Sequence, residues 1–150
     1  MLSILLAAFL LAASTIGMHA AGISLLLRYS TRARAHSPTT SFAIARTLLR
    51  VVWWLLLLHV AEIAFWALFY LWRGYLPDAE AAFYFSGVTY TTIGYGDIVL
   101  AKSYRLLAPI EDLVGVLMCS LSMGYFFVVV NRILQGQPQA IPTPSGKDER

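Results

Sequence analysis

Three long apolar stretches dominate the chain, and polar or charged segments separate them. The stretches cover residues 1–27, 48–72 and 104–132. A helix needs about 20 residues to cross roughly 30 Å of hydrocarbon, so each stretch is long enough to span a bilayer. The pattern therefore predicts three transmembrane helices.

The first stretch also has to be weighed as a secretory signal. It contains no Lys or Arg before its apolar core. The core is also much longer than the roughly 7–15 residues of a signal peptide. We therefore expect residues 1–27 to be a retained transmembrane helix.

A fourth apolar segment, residues 78–90, is too short to cross a membrane and predicts a re-entrant or buried helix. Pro77 and Asp78 suit the start of a helix, because proline fits the first turn and an acid favours the positive end of the helix dipole. Residues 91–97 follow directly and read Thr-Thr-Ile-Gly-Tyr-Gly-Asp. The predicted order is long helix, long helix, short helix, glycine-containing loop and long helix.

Composition supports a membrane protein. Hydrophobic residues make up 59% of the chain and charged residues only 13%, and that charged share is about half of what a soluble domain carries. No nucleophile stands at a recognisable spacing from a base, and no phosphate-binding loop is present. The sequence thus predicts an all-α membrane protein that is not an enzyme, needs no cofactor and binds no nucleic acid.

The charges between the spans predict an orientation. The linker 28–47 and the start of the second span are rich in arginine and contain no acid, so the positive-inside rule places them in the cytoplasm. The amino terminus and the glycine loop then face outward, and the carboxyl terminus faces the cytoplasm. The tail, residues 133–150, is rich in Pro, Gln and Gly and predicts a disordered cytoplasmic end. The arginines concerned are Arg28, Arg32, Arg34, Arg46 and Arg50; the basic residues on the outer side, which are exceptions, are Arg73, Lys102 and Arg105.

The glycine loop has the residue types that a carbonyl-lined ion filter requires. A dehydrated cation needs oxygen ligands, and backbone carbonyls supply them only if successive peptides turn toward one axis. That geometry requires alternating or positive φ, which glycine adopts at little cost, and the loop has Gly94 and Gly96 two residues apart. The Thr92 hydroxyl would add an inner ring of ligands. The predicted ion-binding residues are Thr92, Ile93, Gly94, Tyr95 and Gly96.

A single loop cannot surround an ion. Irregular backbone at membrane depth is tolerated only where it is buried in protein or lines water, and the chain contains one copy of the loop. Closure therefore predicts a homotetramer with fourfold symmetry, in which each chain contributes one loop. The carboxyl end of each short helix would point its partial negative charge at the centre of the pore.

From about residue 46 to residue 132, the chain resembles the pore domain of potassium channels. Residues 89–97 are similar to that family's signature, Thr-x-x-Thr-x-Gly-Tyr-Gly-Asp. The resemblance divides the pore domain, residues 48–132, into an outer helix (48–72), a pore helix (78–90), a filter (91–97) and an inner helix (104–132). It closely resembles the small prokaryotic channels with one pore loop per chain, here with an added amino-terminal helix.

The resemblance implies a passive, potassium-selective channel in the cell membrane, with K⁺ as its permeant ion and no metal site beyond it. Two alternatives remain open. One is a non-conducting membrane subunit that regulates another transporter, and the other is a weakly selective cation channel. Tyr95 argues against a weakly selective channel, because a wider filter would have a polar or acidic residue at this position.

The residues expected to support the filter differ in part from that family. Some relatives carry a pore-helix glutamate where this chain has Val88, and a tryptophan pair where it has Tyr84 and Phe85. Tyr84 can still offer its hydroxyl to Asp97, whereas Phe85 can only pack. The predicted support residues are Thr91, Asp97, Tyr84 and Val88.

Ionisable residues inside the predicted spans mark candidate sites, because a charge there costs at least about 2.5–3.5 kcal/mol on insertion scales. His59 lies one turn before Glu62. The two residues could sense pH, or they could form a hydrogen-bonded pair that braces the outer helix against the pore helix, which we favour. Glu111 and Asp112 could attract cations at the outer mouth or pack behind the filter.

Small residues give two further expectations. Gly115 is a possible gating hinge of the inner helix, and the alternative is close packing, for which Ser120 and Gly124 provide a second small pair. In the first helix, small residues repeat every four positions and are expected to pack on the outer helix or on a neighbouring subunit. These residues are Ala13, Gly17 and Ala21.

The remaining metal-ligand residue types do not cluster along the sequence. His19 and His36 have no cysteine or carboxylate at ligand spacing, so neither predicts a metal site. Cys119, the single cysteine, cannot form a disulfide within the chain.

Overall fold

The computed structural model describes the backbone of residues 2–32 and 40–135, and the side chains of 2–28 and 40–135. These residues form four helices: α1 (Leu2–Arg32), α2 (Ser41–Trp72), α3 (Ala79–Tyr90) and α4 (Leu107–Gln135). Helices α1, α2 and α4 are long and apolar enough to cross a membrane, and α3 is short, as a pore helix would be. The predicted all-α fold class with three membrane spans is confirmed.

Helices α1 and α2 are longer than their apolar stretches. Helix α1 continues to Arg32 instead of ending at residue 27, and α2 starts at Ser41 instead of residue 48. A helix ends where its backbone hydrogen bonds end, and neither extension contains Gly or Pro. The predicted linker 28–47 is therefore helical at both ends, and its centre, residues 33–39, lies outside the described residues.

Helix α4 starts at Leu107, three residues later than predicted, because residues 102–106 form turns. This start places Pro109 in the first turn, where its missing N–H is not needed. At the other end α4 continues to Gln135. The first residues of the predicted disordered tail, 133–135, are therefore helical, and residues 136–150 lie outside the described part of the chain.

Helix α3 starts where the sequence predicts. Asp78 has extended backbone angles, and its carboxylate accepts a hydrogen bond from the Ala81 N–H at 2.8 Å. This is an N-cap, which satisfies one of the N–H groups left free by the first turn. The cap fixes the start of α3 and, with it, the position of the loop after Tyr90.

The short helix α3 packs between α2 and α4, and α1 packs against both of these long helices. Three clusters of buried side chains hold the bundle together. The largest lies around Trp66, Tyr70, Phe85 and Leu107, the second is formed by Leu26, Val51, Leu55 and Tyr125, and the third by Tyr90, Val114 and Met118. The end of α3 is thus surrounded by the long helices.

Within the protomer, helix α1 packs through a face other than its stripe of small residues. The stripe Ala13, Gly17 and Ala21 is exposed, so it does not pack on the outer helix of the same chain, and its packing on a neighbouring subunit stays a prediction. The buried face includes Thr15, which accepts a hydrogen bond from the Trp66 indole N–H at 3.0 Å, and His19. Polar groups in a span need partners away from lipid, and that need outweighs the close approach that small residues allow.

Candidate functional site

The loop after α3 is held against the helix by its own backbone. Each N–H of residues 91–94 donates a hydrogen bond to a carbonyl in the last turn of α3. The N···O distances are 3.1, 2.8, 3.0 and 3.2 Å in chain order, and the acceptors are Gly87, Thr89, Val88 and again Val88. The donors of this segment are therefore used within the chain, and its carbonyls stay available.

The sign of φ alternates along the glycine loop. Thr92, Gly94 and Gly96 have φ of +61°, +57° and +78°, while Ile93 and Tyr95 between them do not have positive φ. Where φ keeps one sign in an extended chain, successive carbonyls point to opposite sides. The alternation turns every second peptide over, so that the carbonyls can share one side. The alternation expected from the sequence is present.

Thr92 adopts this conformation at a cost. It is the one non-glycine residue with positive φ among residues 2–32 and 40–135. A β-branched residue rarely has positive φ, and such strain amounts to roughly 1–3 kcal/mol. The surrounding hydrogen bonds maintain a backbone shape that threonine alone would avoid.

The loop carbonyls have no partner within the described chain. Across residues 2–32 and 40–135, no backbone N–H donates to the carbonyl of Thr92, Ile93, Gly94 or Tyr95. All of residues 91–97 are exposed in the protomer, with Tyr95 at 69%. The segment thus presents a row of unused oxygen ligands on the surface of a single chain.

The acid that follows the loop is tied to the pore helix. The Tyr84 hydroxyl donates a hydrogen bond to Asp97 Oδ2 at 2.7 Å, the contact expected from the sequence. This bond, together with backbone N–H groups, holds the pKa of Asp97 below its ordinary value against the smaller opposing effect of desolvation. The carboxylate stays charged beside the loop and fixes the end of the segment.

The other support residues act through the backbone or by packing. The Thr91 hydroxyl donates to the Gly87 carbonyl at 2.6 Å. Val88 contributes its carbonyl, which accepts from two loop N–H groups, so it holds the loop without a polar side chain. Phe85 packs edge-on against Tyr70, with ring centroids 5.3 Å apart.

Glu111 lies behind the pore helix and away from the outer surface. Its side chain is fully buried, and its two oxygens accept hydrogen bonds from the Tyr70 hydroxyl at 2.6 Å and the Ser86 hydroxyl at 2.5 Å. The expectation of a cation-attracting ring therefore fails for Glu111, because a carboxylate inside the helix bundle needs buried donors. The packing alternative is correct for this residue, and Asp112 next to it is only partly buried.

Glu62 lies at the centre of a second buried group of polar side chains. One carboxylate oxygen accepts from the Tyr90 hydroxyl, which links α2 to the pore helix as the bracing interpretation requires. The other lies 2.8 Å from His19 Nδ1 on α1. His59 Nδ1 is 3.0 Å from the Tyr90 hydroxyl, and His59 Nε2 is 3.0 Å from the Ser122 hydroxyl on α4. We call these five residues the His–Glu cluster.

The isolated position of His19 in the sequence is therefore misleading. Its carboxylate partner is 43 residues away along the chain and belongs to another helix, so no local spacing could indicate the pair. His36, the other histidine judged isolated, lies outside the described residues. The sequence also missed Ser122, Ser86 and Tyr70. The available signal was that each of them is a polar group within an apolar helix.

Gly115 is required where α4 crosses the end of the pore helix. A Cβ at this position would overlap the Tyr90 carbonyl oxygen and lie 2.9 Å from its carbon. At Gly124, by contrast, no atom lies within 4 Å of such a Cβ, and Ser120 is exposed in the protomer. Close packing thus accounts for Gly115, and its role as a hinge stays a prediction.

Comparison with known protein families agrees with this arrangement. A family model described as "Ion channel" matches residues 52–132, which is more than half of the chain. The match covers most of α2, all of α3, the glycine loop and α4 up to Arg132. No curated protein matches the chain, and no solved structure matches it. The chain is not an enzyme: it is a multi-pass membrane protein with an ion channel pore domain, and it belongs to the ion channel family.

Proposed function

We propose that this chain forms a homotetrameric, potassium-selective channel whose filter consists of the carbonyls of residues 92–95. The alternating φ at Thr92, Gly94 and Gly96 is the observation that carries this proposal. Strained backbone persists where the surrounding structure over-determines it, and it concentrates at functional sites. The strained backbone would place a row of carbonyl oxygens where they can replace the hydration shell of K⁺.

The exposure of the loop supports four chains around one axis. In a single chain the carbonyls would face water, and the large side chains of Ile93 and Tyr95 are 55% and 69% exposed. Neighbouring chains would cover these side chains and bring four sets of carbonyls together. A closed ring of identical subunits is the usual way to satisfy such a surface.

The pore helix supports a cation at the inner end of the filter. Helix α3 ends at Tyr90, and the loop turns back on its last carbonyls. Its carboxyl end carries a partial negative charge, and four such ends would favour a cation at the axis. With the arginine-rich segment in the cytoplasm, the glycine loop faces outward and the carboxyl terminus inward.

The test is ion flux through the purified protein in liposomes that hold a K⁺ gradient, with protein-free liposomes as the control. We expect K⁺ to flow down its gradient when Na⁺ is the external cation. We expect little Na⁺ flux when a Na⁺ gradient of the same size is applied. Equal K⁺ and Na⁺ flux would overturn selectivity in favour of a weakly selective cation channel. The absence of flux would favour a non-conducting subunit of another transporter.

The oligomeric state needs its own measurement. Cross-linking in native membranes and the mass of the purified particle should both give four chains. Two or three chains per particle would contradict the proposed filter, because the carbonyl rings would lack a quarter or more of their ligands.

A further inference from the structure

The His–Glu cluster brings together residue types that bind transition metals. His19, His59 and Glu62 each offer a ligand atom, and these atoms lie within 4.8 Å of one another. The carboxylate stands between the two imidazoles: one oxygen is 2.8 Å from His19 Nδ1, and the other is 3.4 Å from His59 Nδ1. His19 and Glu62 are fully buried, and 17% of the His59 side chain is exposed in the protomer.

We propose that His19, His59 and Glu62 form a site for a divalent transition-metal ion of the zinc class, which joins α1 to the pore domain. In tetrahedral coordination, bonds of about 2.0–2.2 Å separate neighbouring ligand atoms by roughly 3.3–3.6 Å. The His59–Glu62 distance of 3.4 Å lies in this range, and the His19–Glu62 distance of 2.8 Å is about 0.5 Å shorter. The His19 imidazole would therefore have to move away from the carboxylate to complete the geometry. The ligands come from α1 and α2, and binding would therefore link the two helices.

The hydrogen count in the cluster supports this assignment. If both histidines are neutral and donate from Nδ1 toward Glu62 and Tyr90, both Nε2 atoms carry bare lone pairs. These two atoms lie 3.0 and 3.4 Å from the same hydroxyl, that of Ser122. A serine hydroxyl has one proton and can donate to only one of them. The metal-free neutral cluster is thus one donor short.

A metal on the Nδ1 side removes this shortage. Each imidazole keeps one proton, which moves from Nδ1 to Nε2, so no proton is gained or lost by the protein. Both Nε2–H groups can then donate to Ser122 Oγ, which has two lone pairs. A metal-bound histidine commonly donates its other ring N–H in this way, and such a partner fixes the orientation of the ring.

The fourth position and the choice of metal follow from the same residues. The Tyr90 hydroxyl contacts Glu62 and lies 3.0 Å from His59 Nδ1, so it can supply a fourth oxygen. Two imidazole nitrogens and one carboxylate suit Zn²⁺ or Co²⁺. Ca²⁺ and Mg²⁺ prefer shells made of oxygen only, and we expect neither to bind here.

Metal binding to the purified full-length protein tests the proposal without any measurement of ion flux. A Cys119→Ser background removes the exposed thiol, which could bind metal by itself. Equilibrium dialysis against Zn²⁺ should give one ion per chain. Co²⁺ should give the intense visible absorption of a tetrahedral site, and excess Ca²⁺ or Mg²⁺ should displace neither ion.

Three variants separate this site from adventitious binding. His19→Ala should remove the ion, whereas His36→Ala, which removes the one histidine outside the cluster, should keep it. Ser122→Ala should keep the stoichiometry and weaken affinity by roughly 10–100-fold, the usual effect of losing a partner of a metal ligand. Ser122→Ala is a small change, so it remains informative even if His19→Ala does not fold.

Each outcome decides the proposal. It is overturned if the parent protein binds no Zn²⁺, if His36→Ala removes the ion, or if Ser122→Ala leaves affinity unchanged. The donor shortage would then be met by a second proton on one of the imidazoles. Because conduction is not measured, a negative result leaves the proposed channel function standing, and a negative flux result leaves the metal site standing.

Discussion

The glycine loop and the His–Glu cluster both adjoin the end of the pore helix, and they are built in opposite ways. The loop consists of consecutive residues, acts through its backbone and is exposed in the protomer. The cluster consists of side chains from α1, α2, α3 and α4 and is largely buried within one chain. Tyr90, the last residue of α3, belongs to the cluster and immediately precedes the loop.

The difference shows what each region needs in order to be complete. The loop carbonyls have no backbone N–H donor in the described part of one chain, and in the proposed channel an ion and further chains would complete them. In the described residues, every buried side-chain nitrogen or oxygen lies within hydrogen-bond distance of a partner in the same protomer, although the neutral His–Glu cluster has one proton too few for all of its contacts. We therefore expect changes in the loop to alter conduction, and changes behind the pore helix to alter stability.

The largest effect is expected for Gly94→Ala. Gly94 has φ of +57°, and no atom lies within 4 Å of an added Cβ, so the change introduces backbone strain without a clash. This strain amounts to about 1–2 kcal/mol per chain and about 4–8 kcal/mol per proposed tetramer. K⁺ flux in liposomes should fall by at least ~100-fold, since about 1.4 kcal/mol corresponds to a factor of ten.

Gly74→Ala provides the matched control for this prediction. Gly74 has φ of +65° and equally open surroundings, but it lies in the connection between α2 and α3. Its replacement should lower the thermal midpoint slightly and leave flux per folded tetramer unchanged. If both variants lose conduction equally, the effect of Gly94→Ala is not specific to the loop. The expected difference between changes in the loop and changes elsewhere in the chain would then be contradicted.

A smaller effect, on stability, is expected for Gly115→Ala. The added Cβ would overlap backbone atoms of Tyr90, which cannot move aside as the end of a flexible side chain could. Overpacking of this kind costs roughly 1–3 kcal/mol, and it should lower the thermal unfolding midpoint. Gly124→Ala on the same helix has free space in the protomer and should be neutral or stabilising by up to about 1 kcal/mol. Equal destabilisation by the two changes would contradict the packing assigned to Gly115.

Tyr70→Phe should have a still smaller effect. It removes the hydroxyl that donates to Glu111 at 2.6 Å, while Ser86 continues to bind the other carboxylate oxygen. We expect a loss of roughly 1 kcal/mol in unfolding free energy, with K⁺ over Na⁺ selectivity unchanged. Tyr75→Phe, which removes a hydroxyl bound only to exposed Arg73, should change stability by less than about 0.5 kcal/mol. A change in selectivity for Tyr70→Phe would show that the buried contacts also shape the filter.

Tyr84→Phe should have the smallest effect, and it tests the contact that joins the loop to the helix. The Tyr84 hydroxyl lowers the pKa of Asp97, so the contact stabilises the protein above the ordinary pKa of an aspartate and is lost as pH falls through the lowered value. In the variant, the pKa of Asp97 should rise toward its ordinary value. As the pH is lowered, K⁺ flux should therefore begin to fall at a higher pH than in the parent protein. The shift should vanish in an Asp97→Asn background, and an acid limb that does not move in Tyr84→Phe would contradict the coupling.

The sequence predicted the elements that depend on neighbours along the chain. The start of α3 at the Asp78 cap and the alternating φ around Gly94 both follow from local backbone chemistry, and both are present. The Tyr84–Asp97 contact was also predictable, because Tyr84 lies on the short helix and Asp97 ends the loop that follows it, 13 positions along the chain. Helix limits were less accurate, since hydropathy measures contact with lipid rather than backbone hydrogen bonding.

The sequence by itself determined an apolar helical chain with one glycine loop of alternating φ, because span length, caps and φ preference are properties of adjacent residues. Only the tertiary structure decided that His19 meets Glu62 and that Glu111 is buried behind the pore helix. These contacts join residues 43 and 25 positions apart, His19 with Glu62 and Ser86 with Glu111. In an almost uniformly apolar helix, the few polar side chains determine which face turns toward the other helices, because they need hydrogen-bond partners away from lipid. These partners lie on other helices, so they can be identified only once the helices are packed.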